Sequence, residues 1–396
     1  MPPLPPGPRV AAPVVAAVVL GIVTLVGLVA LWPTGETRAL LDAERASGGD
    51  DDFGAIGIPT DFFAAEVVLF EEGPCATAPD LTCRSVAFEL QEGPDAGTVV
   101  VQEFAVVGST TPEFTTGETV VLGYTSDAGE GFEYQFADRQ RRGVLLWLAA
   151  AFAVAVIALG RWRGLGALGG LAASMAVLFV FVLPAIVDGR PPVLVAVVGA
   201  AAIAYIALYV AHGFTLLTTV ALLGTLAALA LTSVLSAIVT AAANFSGFAS
   251  EESIFLTLLP GGAIDIEGLI LAGIVLGALG AIDDVTVTQA SAVWEIKDAN
   301  PVFGPARLFR SGIRIGRDHI ASTVNTLALA YAGASLPLLL LFVLSAQSLG
   351  TVANSEVVAV EIVRTLVGSV GLVAAVPVTT WLAALFARPG AGYETG

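Results

Sequence analysis

Eight stretches of this sequence carry little or no charge over lengths close to the roughly 20 residues that cross a hydrocarbon core. They run Ala12–Trp32, Gly143–Gly160, Gly166–Val187, Pro192–Ala211, Phe214–Ala243, Gly268 to about Ser291, Ile320–Ser345 and Val357–Phe386. Each reads as a membrane-spanning helix, because only helices and closed barrels satisfy their own backbone in lipid. Composition agrees: 56% of the 396 residues are hydrophobic and 13% charged, against roughly 25% charged in soluble domains. The expected fold is an α-helical integral membrane protein of about eight spans, with one small all-β domain outside the membrane. The lipid bilayer is its first partner.

The first span, after a short N-terminus of residues 1–11, is too long for the apolar core of a signal peptide and is preceded only by Arg9, so it reads as an uncleaved anchor over residues 12–32. Orientation follows from arginine and lysine near the span ends. With the N-terminus inside, the short inner segments hold Arg161 and Arg163, then Lys297, Arg307, Arg310, Arg314 and Arg317, then Arg388, while the short outer loops hold only Arg190. This predicts a plasma-membrane protein with both termini cytoplasmic, a seven-helix bundle over residues 143–386 and a tail over 387–396.

Residues 33–142 form the one hydrophilic module. It contains 21 Asp and Glu against 6 Arg, a net of −15 out of −17 for the chain. Such a surface repels nucleic acid and suits a cation or a protein partner, or simply keeps the module solvated. Five short β-rich runs, AEVVLF, RSVAFELQ, GTVVVQEFA, ETVVLGY and GFEYQFA, are separated by turn residues and predict a small OB-like or SH3-like barrel. Cys75 and Cys83, the only cysteines, flank turn-forming Pro and Asp outside the membrane and read as a local disulfide. No histidine lies near enough to complete a thiolate metal site, so neither metal nor cofactor is expected. Asp50 to Asp52 lack the alternating spacing of a calcium loop and read as linker.

Chemistry concentrates in the last three spans. Asp283 and Asp284 interrupt the sixth, and at spacings of four, three and four Asp284, Thr288, Ser291 and Glu295 share one face. If that helix is unbroken, the aspartates sit near its middle; if it ends after Ile282, they sit at the inner headgroup level. Buried carboxylates are costly in hydrocarbon and must face protein, a partner or water. In the seventh span Asp318, Ser322 and Asn325 share a face, with Asn325 about 12 Å in from Arg317 at 1.5 Å per residue. These residues predict an ion- or solute-binding site between the sixth and seventh spans. In the eighth, Glu361 and Arg364 read as a self-neutralising i, i+3 pair or as an arginine for an anionic group. The short run SIFLTLL before the sixth span reads as an interfacial or re-entrant element.

The runs LGALGAIDDVTVTQASAVWEI and GRDHIASTVNTLALAYAGASLPLLLLF, with EGPDAGTVVVQEF and GETVVLGY in the module, resemble the YibE/F family of multi-pass bacterial membrane proteins. The resemblance is strongest from Asp265 to Pro337. It implies an N-terminal anchor, an extracytoplasmic domain and a seven-helix bundle in a bacterial plasma membrane. Three functional classes follow from the residues. A transporter or permease is favoured by acidic, hydroxyl and amide groups on consecutive helices beside Gly- and Pro-broken segments. A sensor or assembly scaffold would use the acidic β module. An intramembrane enzyme ranks last, because Asp283 and Asp284 point about 100° apart on one helix, Gly280–Asp283 reads GAID rather than GxGD, and no HExxH, P-loop or GxSxG occurs.

Overall fold

The structure, a computed structural model, describes residues 8–35, Ala39, 61–76, 78–106, 111–125, 133–247, Ser253, Leu256, 264–345 and 347–389. The acidic run Asp50 to Asp52 and nearly all of SIFLTLL lie outside the described residues. The chain divides into two compact units, one of Met1–Ala39 with Val156–Gly396 and one of Leu40–Ala155.

The smaller unit is a curled antiparallel sheet of five strands. These are β1 (Asp61–Pro74), β2 (Thr82–Leu90), β3 (Val99–Ala105), β4 (Thr119–Tyr124) and β5 (Tyr134–Arg139), in the order β3-β2-β1-β4-β5. The strand β1 is long enough to pair with β2 along its second half and β4 along its first, from Asp61 opposite Tyr124 to Pro74 opposite Thr82. Bulges at Val67/Leu69 and at Val121/Leu122 bend the ladder, as an extra residue on one strand does. Curling brings the edges together without a closing backbone ladder. Instead, Gln102 of β3 donates from Nε2 to the Tyr134 carbonyl at 2.7 Å and accepts at Oε1 from the Phe136 amide at 2.9 Å. One side-chain amide thus does what a pair of backbone groups would do in a closed barrel. Inside, Phe88, Phe104, Phe114 and Phe136 stack edge and face at centroid distances of 5.2–6.5 Å over Val67, Val86, Val120 and Leu122. Cys75 and Cys83 are bonded to each other across the turn that joins β1 to β2.

The larger unit is helical. Its elements are α1 (Pro8–Ala30), α2 (Arg142–Val177, whose first turns belong to the smaller unit), a π-helical turn (Leu178–Val182), α3 (Leu183–Val187), α4 (Pro192–His212) and α5 (Leu216–Ala243). There follow α6 (Ile266–Ala299), α7 (Pro305–Ala334), α8 (Leu336–Leu344), α9 (Leu349–Asn354) and α10 (Glu356–Phe386). Six helices are long and apolar enough to cross a membrane, or seven if α7 and α8, bent by 65°, count as one span. The sequence predicts about eight because it splits Arg142–Val187 in two. That 46-residue run is helical throughout except at Arg161, where φ is 52° and ψ −126°. Gly164 then lies against the Val156 carbonyl, so close that a side chain there would overlap it; residues eight apart in a straight helix stand about 12 Å apart. The chain therefore turns sharply at Arg161. The bend between α7 and α8 falls where Pro337 removes a backbone donor and restricts the residue before it.

Within the bundle α6 is central, packed on α4, α5, α7 and α10. Its N-terminus is capped by Asp265, which accepts from the Gly268 amide at 2.8 Å. Close approach comes from small residues, which substitute in lipid for a hydrophobic drive between helices. Gly224 of α5 receives the Thr379 hydroxyl of α10, and Gly371 of α10 receives the Thr232 hydroxyl of α5; a methyl on either glycine would overlap that oxygen. Eight residues forward on α5 match eight back on α10, so the two helices lie antiparallel. Gly312 and Gly316 of α7 likewise receive Gln289 of α6. The apolar core of Leu222, Leu229, Val275, Ile282, Val285 and Leu372 fills the space between.

Candidate functional site

The stretch from Val285 to Arg317 is helical except at 300–304, so Asp283 and Asp284 lie halfway along a 34-residue helix rather than at its end. Their level in the bundle is set by neighbours. Ile282 lies beside Gly371, the middle residue of α10, and Gly371 beside Thr232, near the middle of α5. The two aspartates diverge as adjacent positions on a helix must. Asp283 is half-buried and turned toward α5, while Asp284 is exposed.

Around Asp283 the partners are hydroxyls. The Thr225 hydroxyl of α5 lies 3.4 Å from Asp283 Oδ1 and 2.7 Å from the Thr286 hydroxyl, which itself donates to the Asp283 carbonyl at 2.9 Å. Each hydroxyl has one proton to give. With that of Thr286 committed to a carbonyl, the carboxylate is left with a single long contact. One turn further, Gln289 Nε2 donates to the Gly312 carbonyl at 2.8 Å and the Thr380 hydroxyl at 2.7 Å, both fully enclosed. Along the same helices, the buried hydroxyls of Ser236, Thr240, Ser369 and Thr379 have no hydrogen-bond partner among the described residues. Such groups normally find one, often an ordered water. The result is a polar seam along α5, α6 and α10 through an otherwise apolar core.

The residues expected between the sixth and seventh spans are placed differently. Asp284, Thr288 and Glu295 share an exposed stripe of α6 with half-buried Ser291, and Ser322 and Asn325 are exposed on α7. Among the described residues, no hydrogen bond joins Asp283 or Asp284 to Thr288, Ser322 or Asn325. Thr225, Thr286, Gln289 and Thr380 have no place in the sequence-based site. Their only signal is the presence of lone polar residues in apolar helices.

A second polar group lies nearer the start of α10. Arg364 pairs with Glu361 at 2.7 Å, and its guanidinium stands 6.0 Å from the Tyr331 ring of α7. Gly273 and Gly277 of α6 leave room for Arg364 and for the Tyr331 hydroxyl respectively. A cavity of about 220 Å³ beside the pair is lined by Gly247, Ile266, Glu356, Glu361 and Arg364 among others. Glu356 accepts from the Ser246 hydroxyl at 2.7 Å and the Gly247 amide at 2.6 Å, tying α10 to the end of α5. Among the described residues, no three His, Cys, Asp or Glu side chains converge in a way that could hold a metal ion.

Long apolar helices packed around a central polar helix, with a small curled β sheet in the same chain, define a multi-pass helical membrane protein. Residues 148–389 match the YibE/F-like protein family, and since this is well over half of the chain, the protein belongs to that family. The matched residues contain α3 to α10 and most of α2; the β sheet lies outside them. No curated protein and no solved structure matches the chain.

Proposed function

We propose that the protein is a transporter or permease for a small ion or solute, in which Asp283 is the carboxylate that takes up a proton or cation. The observation that carries this reading is the position of Asp283: halfway along the central helix, turned toward α5, with one long hydroxyl contact from Thr225. A carboxylate so poorly supplied with donors at mid-bundle is costly unless a proton, cation or water completes it. The seam of hydroxyls along α5 and α10 supplies neutral oxygens on either side. In this reading the chain crosses the plasma membrane eight times, turning at Arg161 on the inner side, with both termini cytoplasmic and the acidic β sheet outside. No catalytic step is part of it.

Asp283→Asn keeps the volume and removes the charge. In vesicles reconstituted with the full-length protein, flux driven by a proton or monovalent-cation gradient should fall at least tenfold, with insertion and melting temperature retained. A variant that inserts normally and keeps full, equally pH-dependent flux would overturn the reading. The sensor or scaffold would then lead, because the acidity of the chain is concentrated in residues 33–142.

A further inference from the structure

The outward faces of the bundle are of two kinds. Those of α1 and of the later turns of α2 are what lipid requires: Val19, Val23, Val26 and Val29 on one, Leu159, Leu165 and Leu171 on the other, all widely exposed. The face shared by α6 and α7 is not. The helix α7 buries only Leu308, Gly312 and Gly316 and turns Asp318, Ser322, Asn325 and Thr326 outward, and α6 leaves Asp284 and Thr288 exposed. Two helical contacts fix the level of these groups. Gly277 meets Tyr331 and Gly316 meets Gln289, so in antiparallel register Asn325 stands level with Ile282 and Asp283, at mid-bundle. Thr323 and Thr326 satisfy themselves on the carbonyls of His319 and Ser322, at 3.0 and 3.1 Å. The side chains of Asn325 and Asp284 make no hydrogen bond among the described residues. Facing hydrocarbon, an unpaired amide and a carboxylate at that level would be costly.

We infer that this face is the contact between two copies of the chain, with Asn325 pairing with its counterpart across a twofold axis along the membrane normal. Three features favour a second copy over another occupant. A twofold axis in that direction sets every side chain against itself at equal depth, so a polar belt at mid-bundle meets a polar belt automatically. The Asn325 carboxamide and the Ser322 hydroxyl suit self-pairing, since each both donates and accepts. Small residues on the same side, Ala321 and Gly333, allow the helices to approach; nothing lies within 4 Å of the position a side chain on Gly333 would take. Toward the α7 start, Asp318 follows Arg317, so the copies can exchange ion pairs there. Arg307, stacked 3.8 Å over Phe303, stands further on at the level where α6 ends, where water and headgroups screen it. Two Asp284 carboxylates enclosed together would repel each other unless a shared proton or cation lay between them. The inference does not depend on the transport reading, because assembly is measured without flux.

The test uses single cysteines in the full-length protein in native membranes, where Cys75 and Cys83 are already bonded to each other. Cysteines replacing Ser322, Asn325 and Leu329 should cross-link to dimers with a short bifunctional reagent, and cysteines replacing Leu327 and Val324 should not. Asn325→Leu should weaken dimerisation in nanodiscs or bilayers about tenfold, the scale of an interhelical polar pair, while Asn325→Gln should retain it. A wild-type protein of single-subunit mass with position 325 rapidly labelled by membrane-impermeant reagents would overturn the inference in favour of a water-filled cleft. Cross-linking at 325 to a different protein would overturn it in favour of a heterologous partner.

Discussion

At the scale of single residues, the most constrained positions are the glycines that receive hydroxyls. Gly371 faces Thr232 and Gly224 faces Thr379, and both hydroxyls stand where a methyl on the glycine would go. Gly371→Ala should therefore destabilise the bundle by about 1–3 kcal/mol, the usual cost of overpacking, read as a lower midpoint in thermal unfolding of detergent-solubilised protein. Thr232→Ala removes the obstructing oxygen and one carbonyl contact, that to Ala228 at 2.8 Å. The double variant should recover most of the loss, because contacting residues couple. A double variant no better than Gly371→Ala would place the strain elsewhere. Of the site, the sequence reveals that two carboxylates sit in an apolar helix and point apart. It does not reveal which of the two is turned inward. Reasoning from the polar stripe selects Asp284 with Thr288, Ser291 and Glu295, yet the bundle buries the side of Ile282, Val285 and Gln289 and leaves all of the stripe but half-buried Ser291 exposed. The physical reason is that lipid disfavours a polar stripe without deciding whether the same chain, a second chain or water covers it. Shape decides, and the glycines and threonines of α5 and α10 set it.

At the scale of elements, the β sheet shows how one side chain completes a structure that hydrophobic alternation only begins. The five β-rich runs of the sequence correspond to the five strands, and their turn residues to the joints between them. What the alternation does not contain is closure. Gln102 sits at a position that reads as an ordinary polar residue of a strand, and it alone bridges the Tyr134 carbonyl and the Phe136 amide. Gln102→Leu should leave both groups unpaired at a partly buried edge, a loss of about 2 kcal/mol. Amide exchange at Phe136 in the full-length protein should accelerate roughly thirtyfold, while amides of the β1–β2 ladder such as Val86 change little. Unchanged exchange at Phe136 would mean that the edges are held together by the phenylalanine core alone. Among the helices, α7 contrasts with its neighbours. Its charged and hydroxyl residues are legible in the sequence, and its bend at Ser335 follows from Pro337, but its shallow burial follows only from how few of its residues find a partner helix.

At the scale of the whole molecule, the proposed orientation makes a direct prediction. A fluorescent protein fused after Gly396 should fold and fluoresce in bacterial cells, and alkaline phosphatase inserted in the turn at residues 91–97 should be active, because each reporter works on only one side of the membrane. Phosphatase activity at the C-terminus would reverse the topology or change the number of crossings. That number turns on Arg161. A basic pair, Arg161 and Arg163, separates two apolar tracts, and the sharp turn there places Gly164 against Val156, the geometry expected if the run doubles back.

Membrane residence, the positions of the apolar helices, the β-rich character of the acidic module and membership of the YibE/F-like family are all legible in the linear chain. Each depends on quantities additive along the sequence, namely apolar length, alternation and short characteristic runs, and none needs knowledge of which residues meet. The polar seam of Thr225, Asp283, Thr286, Gln289 and Thr380, the bridge at Gln102 and the exposed face of α7 are decided by tertiary structure. Each is a relation between helices or strands separated in sequence, and in the bundle it is set by packing at glycines whose partners appear only when the helices assemble.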